Sequence, residues 1–279
     1  MKICVSGATG FIGKHVVSEL ISTSAQVSGI IRSERNKLQS ETVDWVNLDI
    51  ADLPEENIFE LIGRPDVLIH LAWGGLPNYK SLYHFETELP IQYAFIKRLV
   101  SEGLKSIVVS GTCFEFGLLS GQLSETDNLL PSSSYGLAKY ILLQQLQFLQ
   151  KQTPFNLTWA RLFYMFGEGQ AGNSLLPQLE SAIQSGEKSF NMSGGEQLRD
   201  YMPVNEVASQ LVKLAQKQQD LGVVHVCSGK PISVRSLVEN IIHSNGWEIK
   251  LNLGYYPYTD YEPMAFWGDK TKLNSLTGY

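Results

Sequence analysis

Short apolar runs alternate along the chain with longer stretches in which apolar residues recur at helical spacing. Short runs of this kind are typical of buried strands, and the longer stretches are typical of amphipathic helices. Strands that alternate with helices indicate a parallel sheet covered on both faces. The pattern therefore predicts an α/β fold with a doubly wound parallel sheet. The predicted strands of the first half cover residues 2–6, 27–32, 43–49, 66–70 and 106–110.

The first predicted strand runs into a glycine-rich turn, Gly7-Ala8-Thr9-Gly10-Phe11-Ile12-Gly13, and then into a predicted helix. Gly7 permits the tight bend, Gly10 lets a diphosphate approach the backbone, and Gly13 lets the helix pack closely on the strand. Unpaired N–H groups and the positive end of the helix dipole then attract the diphosphate. A glycine turn alone is weak evidence, but its place between a strand and a helix predicts a Rossmann-type dinucleotide site.

The second half of the chain is less regular than the first, and no linker rich in Pro, Gly and Ser divides the two. We expect residues 1–163 to form the dinucleotide-binding domain, with some later segments returning to it. Residues 164–279 are expected to form mostly a smaller α+β substrate-binding lobe. The predicted helices cover residues 87–101, 133–149, 175–185, 204–216 and 234–245.

Composition and charge narrow the class of protein. The 279 residues are 43% hydrophobic and 18% charged, an ordinary balance for a globular core. The net charge of −6 offers no general basic surface for nucleic acid. The cysteines Cys4, Cys113 and Cys227 have no metal-ligand spacing, so we expect no metal site and a reducing compartment. The chain shows neither a secretory signal nor an apolar run of about eighteen residues, which favours a cytoplasmic protein away from membranes.

The residues after the second predicted strand bear on the choice of cofactor. An acid usually stands there in NAD-binding folds, where it holds the ribose 2′-OH. This chain has Arg32 and Arg35 instead. A guanidinium matches a 2′-phosphate through two parallel hydrogen bonds, so the sequence favours NADP(H) over NAD(H), although an ordinary solvated arginine is the alternative. Asp49 and Ile50, after the third strand, are candidates for contact with the adenine.

Three residues form the candidate catalytic group. Tyr135 and Lys139 are four positions apart on a predicted helix and therefore share one face. An ammonium beside a phenol favours the phenolate, so we expect Lys139 to lower the pKa of Tyr135 from about 10 toward neutrality. Tyr135 would then exchange a proton near pH 7. Thr112 follows the fifth strand, at the sheet edge where open α/β folds place ligands, and is expected to hydrogen-bond the reacting oxygen.

The glycine turn, Thr112 and the pair Tyr135-x-x-x-Lys139 together resemble the extended short-chain dehydrogenase/reductase family, which includes nucleotide-sugar epimerases, dehydratases and ketoreductases. The resemblance covers nearly the whole chain. Residues 161–167 resemble the family's R-x-x-N-x-Y-G segment. Residues 199–204 resemble its R-D-Y/F-x-x-V segment, which in the family meets the diphosphate of the substrate.

The resemblance extends the set of candidate site residues. Residues 70–73 resemble the family's cofactor loop after the fourth strand, which adds Leu71, Ala72 and Trp73. The residues expected to bind the cofactor are Gly7, Thr9, Gly10, Phe11, Ile12, Gly13, Arg32, Arg35, Asp49, Ile50, Leu71, Ala72, Trp73, Tyr135 and Lys139. The residues expected to bind the substrate are Trp73, Cys113, Arg199 and Tyr201.

Bland alternatives remain for several of these residues. The alternative for Trp73 is a plain packing role, and the alternative for Arg199 is a surface ion pair with Asp200. Cys113 and Glu115 either line the sugar pocket or point elsewhere, into the core or solvent.

Departures from the family's patterns point to the reaction. The 4,6-dehydratases of the family place Asp and Glu after the catalytic Thr, whereas this chain has Cys113 and Phe114. A dehydratase is therefore disfavoured. The helix that usually begins with a cofactor-facing Asn has Glu88, to which the sequence assigns no role. Tyr164 replaces another usual Asn, which leaves the substrate contact there open.

The resemblance and its departures lead to one expected function and two alternatives. We expect NADPH-dependent reduction of the 4-keto group of a nucleotide-activated 4-keto-6-deoxyhexose. The first alternative is a nucleotide-sugar 4-epimerase that retains NAD, and the second is a regulator that senses NADP(H) without turnover. The resemblance also implies a homodimer through the helices predicted at residues 87–101 and 133–149.

Overall fold

The computed structural model of the chain describes residues 1–33 and 40–279. The strands are β1 (Lys2–Ser6), β2 (Gln26–Ile31), β3 (Val43–Asn47), β4 (Val67–His70), β5 (Ser106–Thr112), β6 (Gly121–Leu123), β7 (Asn156–Leu162), β8 (Tyr164–Phe166), β9 (Ser189–Asn191), β10 (Leu198–Pro203), β11 (Gly222–Val226), β12 (Pro231–Ser233), β13 (Lys250–Asn252) and β14 (Phe266–Gly268). The helices are α1 (Phe11–Ile21), α2 (Ile58–Leu61), α3 (Leu89–Glu102), α4 (Ser134–Gln152), α5 (Leu175–Gln184), α6 (Val204–Lys217), α7 (Val234–Asn245) and α8 (Thr271–Thr277). A π-helical turn, His84–Glu88, leads into α3, and a 3₁₀ turn, Cys113–Phe116, follows β5.

A parallel sheet of seven described strands forms the centre of the fold, in the order β11-β7-β5-β4-β1-β2-β3. The predicted α/β fold with a doubly wound parallel sheet is therefore confirmed. From β1 the chain adds β2 and β3 on one side, and then crosses back to add β4, β5, β7 and β11 on the other. Strand order thus reverses between β1 and β4, and the crevice at their carboxyl ends is where such sheets bind ligands.

Helices cover both faces of the sheet with separate apolar clusters. On one face α1 and α6 pack together, with Val17 and Leu20 of α1 and Leu211 of α6 fully buried among the strands. On the other face α3 and α4 bury residues such as Phe95 and Leu146. Burial of this apolar area is the main favourable term that holds the helices on the sheet.

Two segments from the second half of the chain complete this central layer. Helix α6 packs on α1, and β11 pairs with β7 in parallel register, with Val224 opposite Ala160. The sheet therefore draws on residues beyond position 163. The division of the chain at that position stays a prediction.

The remaining second-half elements form small sheets and a third apolar cluster. Strands β12, β10 and β8 form one sheet, and β13 and β9 form another. Leu179 of α5, Phe190 of β9 and Val238 of α7 pack in their cluster. In residues 1–33 and 40–279, no helix has the length and apolar character needed to cross a membrane. The same residues contain no cluster of His, Cys, Asp and Glu suited to a metal ion.

Candidate active site

The glycine turn shapes one wall of a groove at the carboxyl ends of β1 and β4. Gly7 has φ 69°, the left-handed region that favours glycine. A Cβ there would lie 2.7 Å from the Ala72 nitrogen, so the turn also requires glycine for space. The β1–α1 turn and the loop after β4 therefore lie in direct contact, which brings the two predicted cofactor segments together.

The helix start is packed equally tightly. A Cβ on Gly13 would lie 2.0 Å from the Gly7 carbonyl oxygen, whereas one on Gly10 would lie 3.2 Å from it. Gly10 precedes α1 without a side-chain cap, so the first N–H groups of the helix have no partner from a capping side chain. This bare helix start beside a glycine cradle fits a dinucleotide diphosphate.

The groove has a volume of about 280 Å³ and contains most of the predicted cofactor contacts. Phe11 and Ile12 lie in the first turn of α1 rather than along the groove, and the Ile12 side chain packs on the core. Arg35 lies outside the described residues. The predicted cofactor residues that line the groove are Gly7, Thr9, Gly10, Arg32, Asp49, Ile50, Leu71, Ala72 and Trp73.

The three predicted catalytic residues lie together beyond the Trp73 end of this groove. Thr112 ends β5, and Tyr135 and Lys139 lie in the first turns of α4. The Ser133 side chain caps α4 by accepting the Gly136 N–H at 3.1 Å, which fixes where the helix begins. The Thr112 side chain hydrogen-bonds the Tyr135 phenol, and the Trp73 ring lies 5.9 Å from the Tyr135 ring.

The environment of Tyr135 corrects one prediction made from the sequence. Burial raises the pKa of Tyr135 above its ordinary value instead of lowering it, because the phenol is 8% exposed. The hydrogen bond from Thr112 opposes this rise in pKa but does not cancel it. The expectation that Lys139 lowers the Tyr135 pKa toward neutrality is therefore wrong for this structure. Tyr135 is held as a neutral phenol at pH 7.

Lys139 is directed at the backbone and at an aromatic ring. Its Nζ donates a hydrogen bond to the Ser110 carbonyl oxygen at 2.8 Å and lies 4.0 Å from the centre of the Trp73 ring. Burial lowers the pKa of Lys139 to about 7, although the carboxylates of Glu115 and Glu88 oppose this shift. The ammonium therefore titrates within the neutral range.

A buried hydrogen-bond chain, which the sequence did not reveal, supports the groove from below. Gln92 donates to Glu88 at 2.6 Å, so its carbonyl oxygen accepts from His70 Nε2. His70 Nδ1 then accepts from the Ser6 hydroxyl at 2.7 Å. Burial lowers the pKa of His70 to about 3, which keeps the ring neutral in this chain. His70 is thus a satisfied core histidine.

Glu88, which had no role at the level of sequence, anchors the loop after β4. One carboxylate oxygen accepts the Gly74 N–H at 2.7 Å, and the other accepts the Tyr83 hydroxyl at 3.0 Å. Glu88 also lines the groove. This role is identified only by the contacts that Glu88 makes with Gly74 and Tyr83 in the folded chain.

Glu115 and Cys113, which follow Thr112, do not line the groove. Glu115 is fully buried and paired with Arg161, with 2.8 Å between the Arg161 guanidinium and the carboxylate. Cys113 is 5% exposed in an apolar cluster with Phe163 and Phe266. Cys113 therefore does not line the cavity described next, and its predicted contact with substrate stays a prediction.

A second cavity, of about 440 Å³, lies in the C-terminal part and contains the two other predicted substrate residues, Arg199 and Tyr201. Arg199 is 3% exposed and pairs with Glu262 at 2.9 Å, rather than with its neighbour Asp200. Asp200 instead accepts from the N–H groups of Ser228 and Gly229. The alternative of a surface pair between Arg199 and Asp200 is therefore wrong.

Aromatic rings connect this cavity with the catalytic group. The Phe114 ring lies 6.1 Å from Tyr135 and 6.2 Å from Tyr261, which lines the cavity. Tyr79 stacks on Phe114 at 4.7 Å, from the loop before α3. An exposed ion pair of 2.7 Å between Lys80 and Asp260 joins this loop to the segment that carries Tyr261.

The fold agrees with comparisons to known proteins. A model of the NAD dependent epimerase/dehydratase family matches residues 3–227. The chain belongs to this family. The resemblance to extended short-chain dehydrogenases/reductases is thereby confirmed, and the chain is an NAD(P)-dependent oxidoreductase.

Individual relatives span almost the full chain. A dTDP-6-deoxy-L-talose 4-dehydrogenase (NAD(+)) from Aggregatibacter actinomycetemcomitans is 30% identical, over 97% of this chain and 100% of the relative. A dTDP-4-dehydro-6-deoxyglucose reductase from Escherichia coli is 25% identical, over 90% of this chain and 82% of the relative. The structure of a UDP-N-acetylglucosamine 4-epimerase from Methanobrevibacter ruminantium M1 superposes with a TM-score of 0.87 at 23% identity, over 99% of this chain and 91% of that one. The last likeness concerns the fold alone.

Proposed function

We propose that this protein reduces the 4-keto group of a nucleotide-activated 4-keto-6-deoxyhexose with NADPH. The observation that carries the proposal is the composition of the catalytic group. Thr112 and the neutral phenol of Tyr135 are hydrogen-bonded to each other, and Lys139 follows one turn later on the same helix. The two positions after Thr112 hold Cys113 in an apolar cluster and Phe114 in an aromatic stack. This set can supply a proton to an oxygen, but it lacks the acid–base pair that elimination requires.

The raised pKa of Tyr135 suits the direction of reduction. Nicotinamide, when bound in its reduced form, supplies the hydride. The carbonyl oxygen that gains negative charge during reduction is a stronger base than the phenolate, so the Tyr135 phenol donates its proton there. Thr112 donates a hydrogen bond to the phenolate that remains. Lys139, with a pKa of about 7, lies one helical turn after Tyr135 on α4.

The names of relatives support the choice of a 6-deoxy sugar and of position 4. One relative is a 4-dehydrogenase of a dTDP-6-deoxy sugar, and another is a reductase of a dTDP-4-dehydro-6-deoxy sugar. A third, 24% identical over the whole of this chain, is a GDP-6-deoxy-D-talose 4-dehydrogenase from Aggregatibacter actinomycetemcomitans. All three act on the oxygen-bearing carbon that the proposal assigns to this site.

The preference for NADPH rests on Arg32. This exposed arginine lines the groove at the end of β2, near Asp49. A guanidinium at this edge suits a ribose 2′-phosphate. Asp49 already accepts the Ala51 N–H at 3.0 Å, so one of its oxygens is engaged in the turn after β3.

A panel of nucleotide 4-keto-6-deoxyhexoses tests the proposal. The purified protein is incubated with dTDP-, CDP-, GDP- and UDP-linked sugars and with NADPH or NADH, while absorbance of the reduced nicotinamide is followed. We expect NADPH consumption with at least one sugar and a product reduced at C4 by NMR.

The same preparation distinguishes the alternatives. A tightly bound NAD, with interconversion of UDP-sugars in the absence of added cofactor, would identify an epimerase and contradict the proposal. Binding of NADPH without turnover of any sugar would identify a regulator.

We also infer a homodimer through α3 and α4, as the resemblance implies. The outward residues of α4 include Phe148, which is 65% exposed. Size-exclusion chromatography with light scattering is expected to give twice the mass of one chain. A monomer would contradict this inference.

A further inference from the structure

Glu115 is a buried carboxylate whose acceptor positions are all used. One oxygen accepts the Thr112 N–H at 2.8 Å and the Trp159 indole N–H at 3.0 Å. The other oxygen accepts from Arg161 at Nε, 2.9 Å away, and pairs with Nη2 at 2.8 Å. A carboxylate offers about four acceptor positions. Glu115 therefore has none left for a ligand, and any effect on catalysis passes through its partners.

A local capping role does not account for this arrangement. Thr112 and Glu115 form a capping box at the 3₁₀ turn, and of the four bonds at the Glu115 carboxylate such a box uses only the one from the Thr112 N–H. Here Arg161 and Trp159 of β7 approach the same carboxylate from the next strand of the sheet. A buried ion pair is weak evidence for stability, because apolar replacements of the pair are often at least as stable. The pair therefore calls for a reason other than stability.

The partners of Glu115 show what the arrangement fixes. Thr112 is the last residue of β5, and its hydroxyl oxygen accepts the Phe114 N–H at 3.3 Å. The hydroxyl hydrogen is then free to be donated to Tyr135, the direction in which this bond stabilises the phenolate. Thr112 is thus held through its backbone by Glu115 while its side chain faces the catalytic phenol.

We propose that Glu115 is a positioning residue, whose carboxylate, fixed by Arg161 and Trp159, holds the Thr112 backbone so that the Thr112 hydroxyl is aimed at Tyr135. The proposal depends on the proposed function only for its kinetic readout. It predicts that Glu115 and Thr112 act as one unit. Removal of the Thr112 hydroxyl should make a change at position 115 nearly silent in catalysis.

A double-mutant cycle between Glu115→Gln and Thr112→Val tests this unit. The protein is labelled with ¹³Cζ-tyrosine, and Tyr135→Phe identifies the Tyr135 resonance. We expect each single variant to move this resonance, and the double variant to move it no further than Thr112→Val alone. Shifts that add in the double variant, or no shift in Glu115→Gln, would overturn the proposal.

The matched control is Glu102→Gln. Glu102 also accepts a backbone N–H, from Phe59 at 2.9 Å, and an arginine, Arg98 at 2.8 Å, but it lies at the end of α3 away from the site. This variant should leave the Tyr135 resonance and kcat unchanged. A comparable resonance shift in Glu102→Gln would show that general destabilisation explains the effect, and would overturn the proposal.

Kinetics provide the second readout with whichever sugar of the panel is turned over. Glu115→Gln should lower kcat about tenfold, because misplacement of a catalytic group by a fraction of an ångström is costly, with KM within about twofold of wild type. In the Thr112→Val background the same change should lower kcat less than about twofold. If the unaltered protein turns over no sugar, the proposed function fails, whereas the resonance cycle still decides the role of Glu115.

A charge-free variant covers the case in which Glu115→Gln does not fold. Glu115→Leu combined with Arg161→Met removes both buried charges, a change that cores often tolerate. The folded double variant should show the displaced Tyr135 resonance and the reduced kcat. A wild-type resonance together with a wild-type kcat in this variant would overturn the proposal.

Discussion

The groove at β1 and β4 and the cavity around Arg199 are built in different ways. The groove is shaped largely by backbone. Gly13 packs against main-chain atoms of Gly7 in the same turn, and Gly7 packs against those of Ala72 in the adjacent loop. The cavity is shaped by side chains from distant parts of the chain, such as Arg199 and Glu262. A backbone cradle recognises what all dinucleotides share, whereas a cavity lined by side chains can differ between relatives. The catalytic group lies where the two regions meet.

The largest expected effect is at this junction. Tyr135→Phe removes the proposed proton donor but leaves both regions intact, so kcat should fall about a thousandfold while the Kd for NADPH and the KM for sugar change little. Stopped-flow measurement of NADPH oxidation gives kcat, and fluorescence titration gives the Kd.

Tyr140→Phe, on the same helix, is the control for loss of a phenol and should retain full activity. Activity in Tyr135→Phe within tenfold of wild type would exclude proton transfer through that phenol.

His70, in the buried hydrogen-bond chain that ends at Glu88, is expected to make the free energy of unfolding strongly dependent on pH. The pKa of His70 is about 3 in the folded protein and about 6.5 when unfolded. The unfolded state binds the extra proton as pH falls below about 6.5, so the stability that neutral His70 contributes is full above that pH and lost toward pH 3. Each pKa unit corresponds to about 1.4 kcal/mol, which makes the loss several kcal/mol.

Urea denaturation of wild type and His70→Gln between pH 7 and pH 4 measures this loss. The free energy of unfolding should fall less steeply with decreasing pH in the variant. Parallel curves for the two proteins would show that His70 is not the titrating group.

One methyl group added at Gly13 should disrupt the backbone of the β1–α1 turn. Gly13→Ala places a Cβ 2.0 Å from the Gly7 carbonyl oxygen, so the turn must shift, at a cost of about 1–3 kcal/mol in the free energy of unfolding. NADPH affinity should fall with it, whereas the cavity around Arg199 should be unaffected.

Gly172→Ala is the control, because a Cβ there meets nothing within 4 Å. Calorimetry and NADPH titration of both variants provide the measurement. NADPH affinity in Gly13→Ala equal to that of wild type would separate the cradle from cofactor binding.

A substitution in the cavity around Arg199 should change the affinity for the nucleotide sugar and leave the affinity for NADPH unaltered. Arg199→Lys loses the forked guanidinium that matches a diphosphate, so KM for the nucleotide sugar should rise about tenfold with the Kd for NADPH unchanged. Steady-state kinetics give the KM for the nucleotide sugar, and fluorescence titration of the same preparation gives the Kd for NADPH.

Arg235→Lys changes an exposed arginine that is paired with Glu239 and should leave KM unchanged. Equal KM values for Arg199→Lys and wild type would remove Arg199 from substrate binding.

The smallest effect is expected at the outer edge of the groove. Arg32→Ala should lower the preference for NADPH over NADH about fivefold, because an exposed charge contact is partly screened by solvent. The ratio of kcat/KM for the two cofactors measures the preference. An unchanged ratio would show that Arg32 does not contact a 2′-phosphate.

The contrast between groove and cavity also explains what the sequence could reveal. The β1–α1 turn is encoded by neighbouring residues, so its glycines could be interpreted directly. Strand β7 was not predicted as part of the sheet, because buried polar residues such as Thr158 and Arg161 interrupt its apolar pattern. The partner of Arg199 is Glu262 rather than the adjacent Asp200, a choice that only the folded chain determines.

Net reduction at C4 can be followed by isotope transfer from the cofactor to the sugar. The protein is incubated with a 4-keto-6-deoxyhexose nucleotide that it accepts and with NADPH deuterated at the transferred position, prepared separately for each face of the nicotinamide. Net reduction predicts that one of the two labelled cofactors places one deuterium at C4 of the product, located by NMR, for each NADP⁺ that is formed. An epimerised sugar that carries no deuterium, with the NADPH unconsumed, would contradict it.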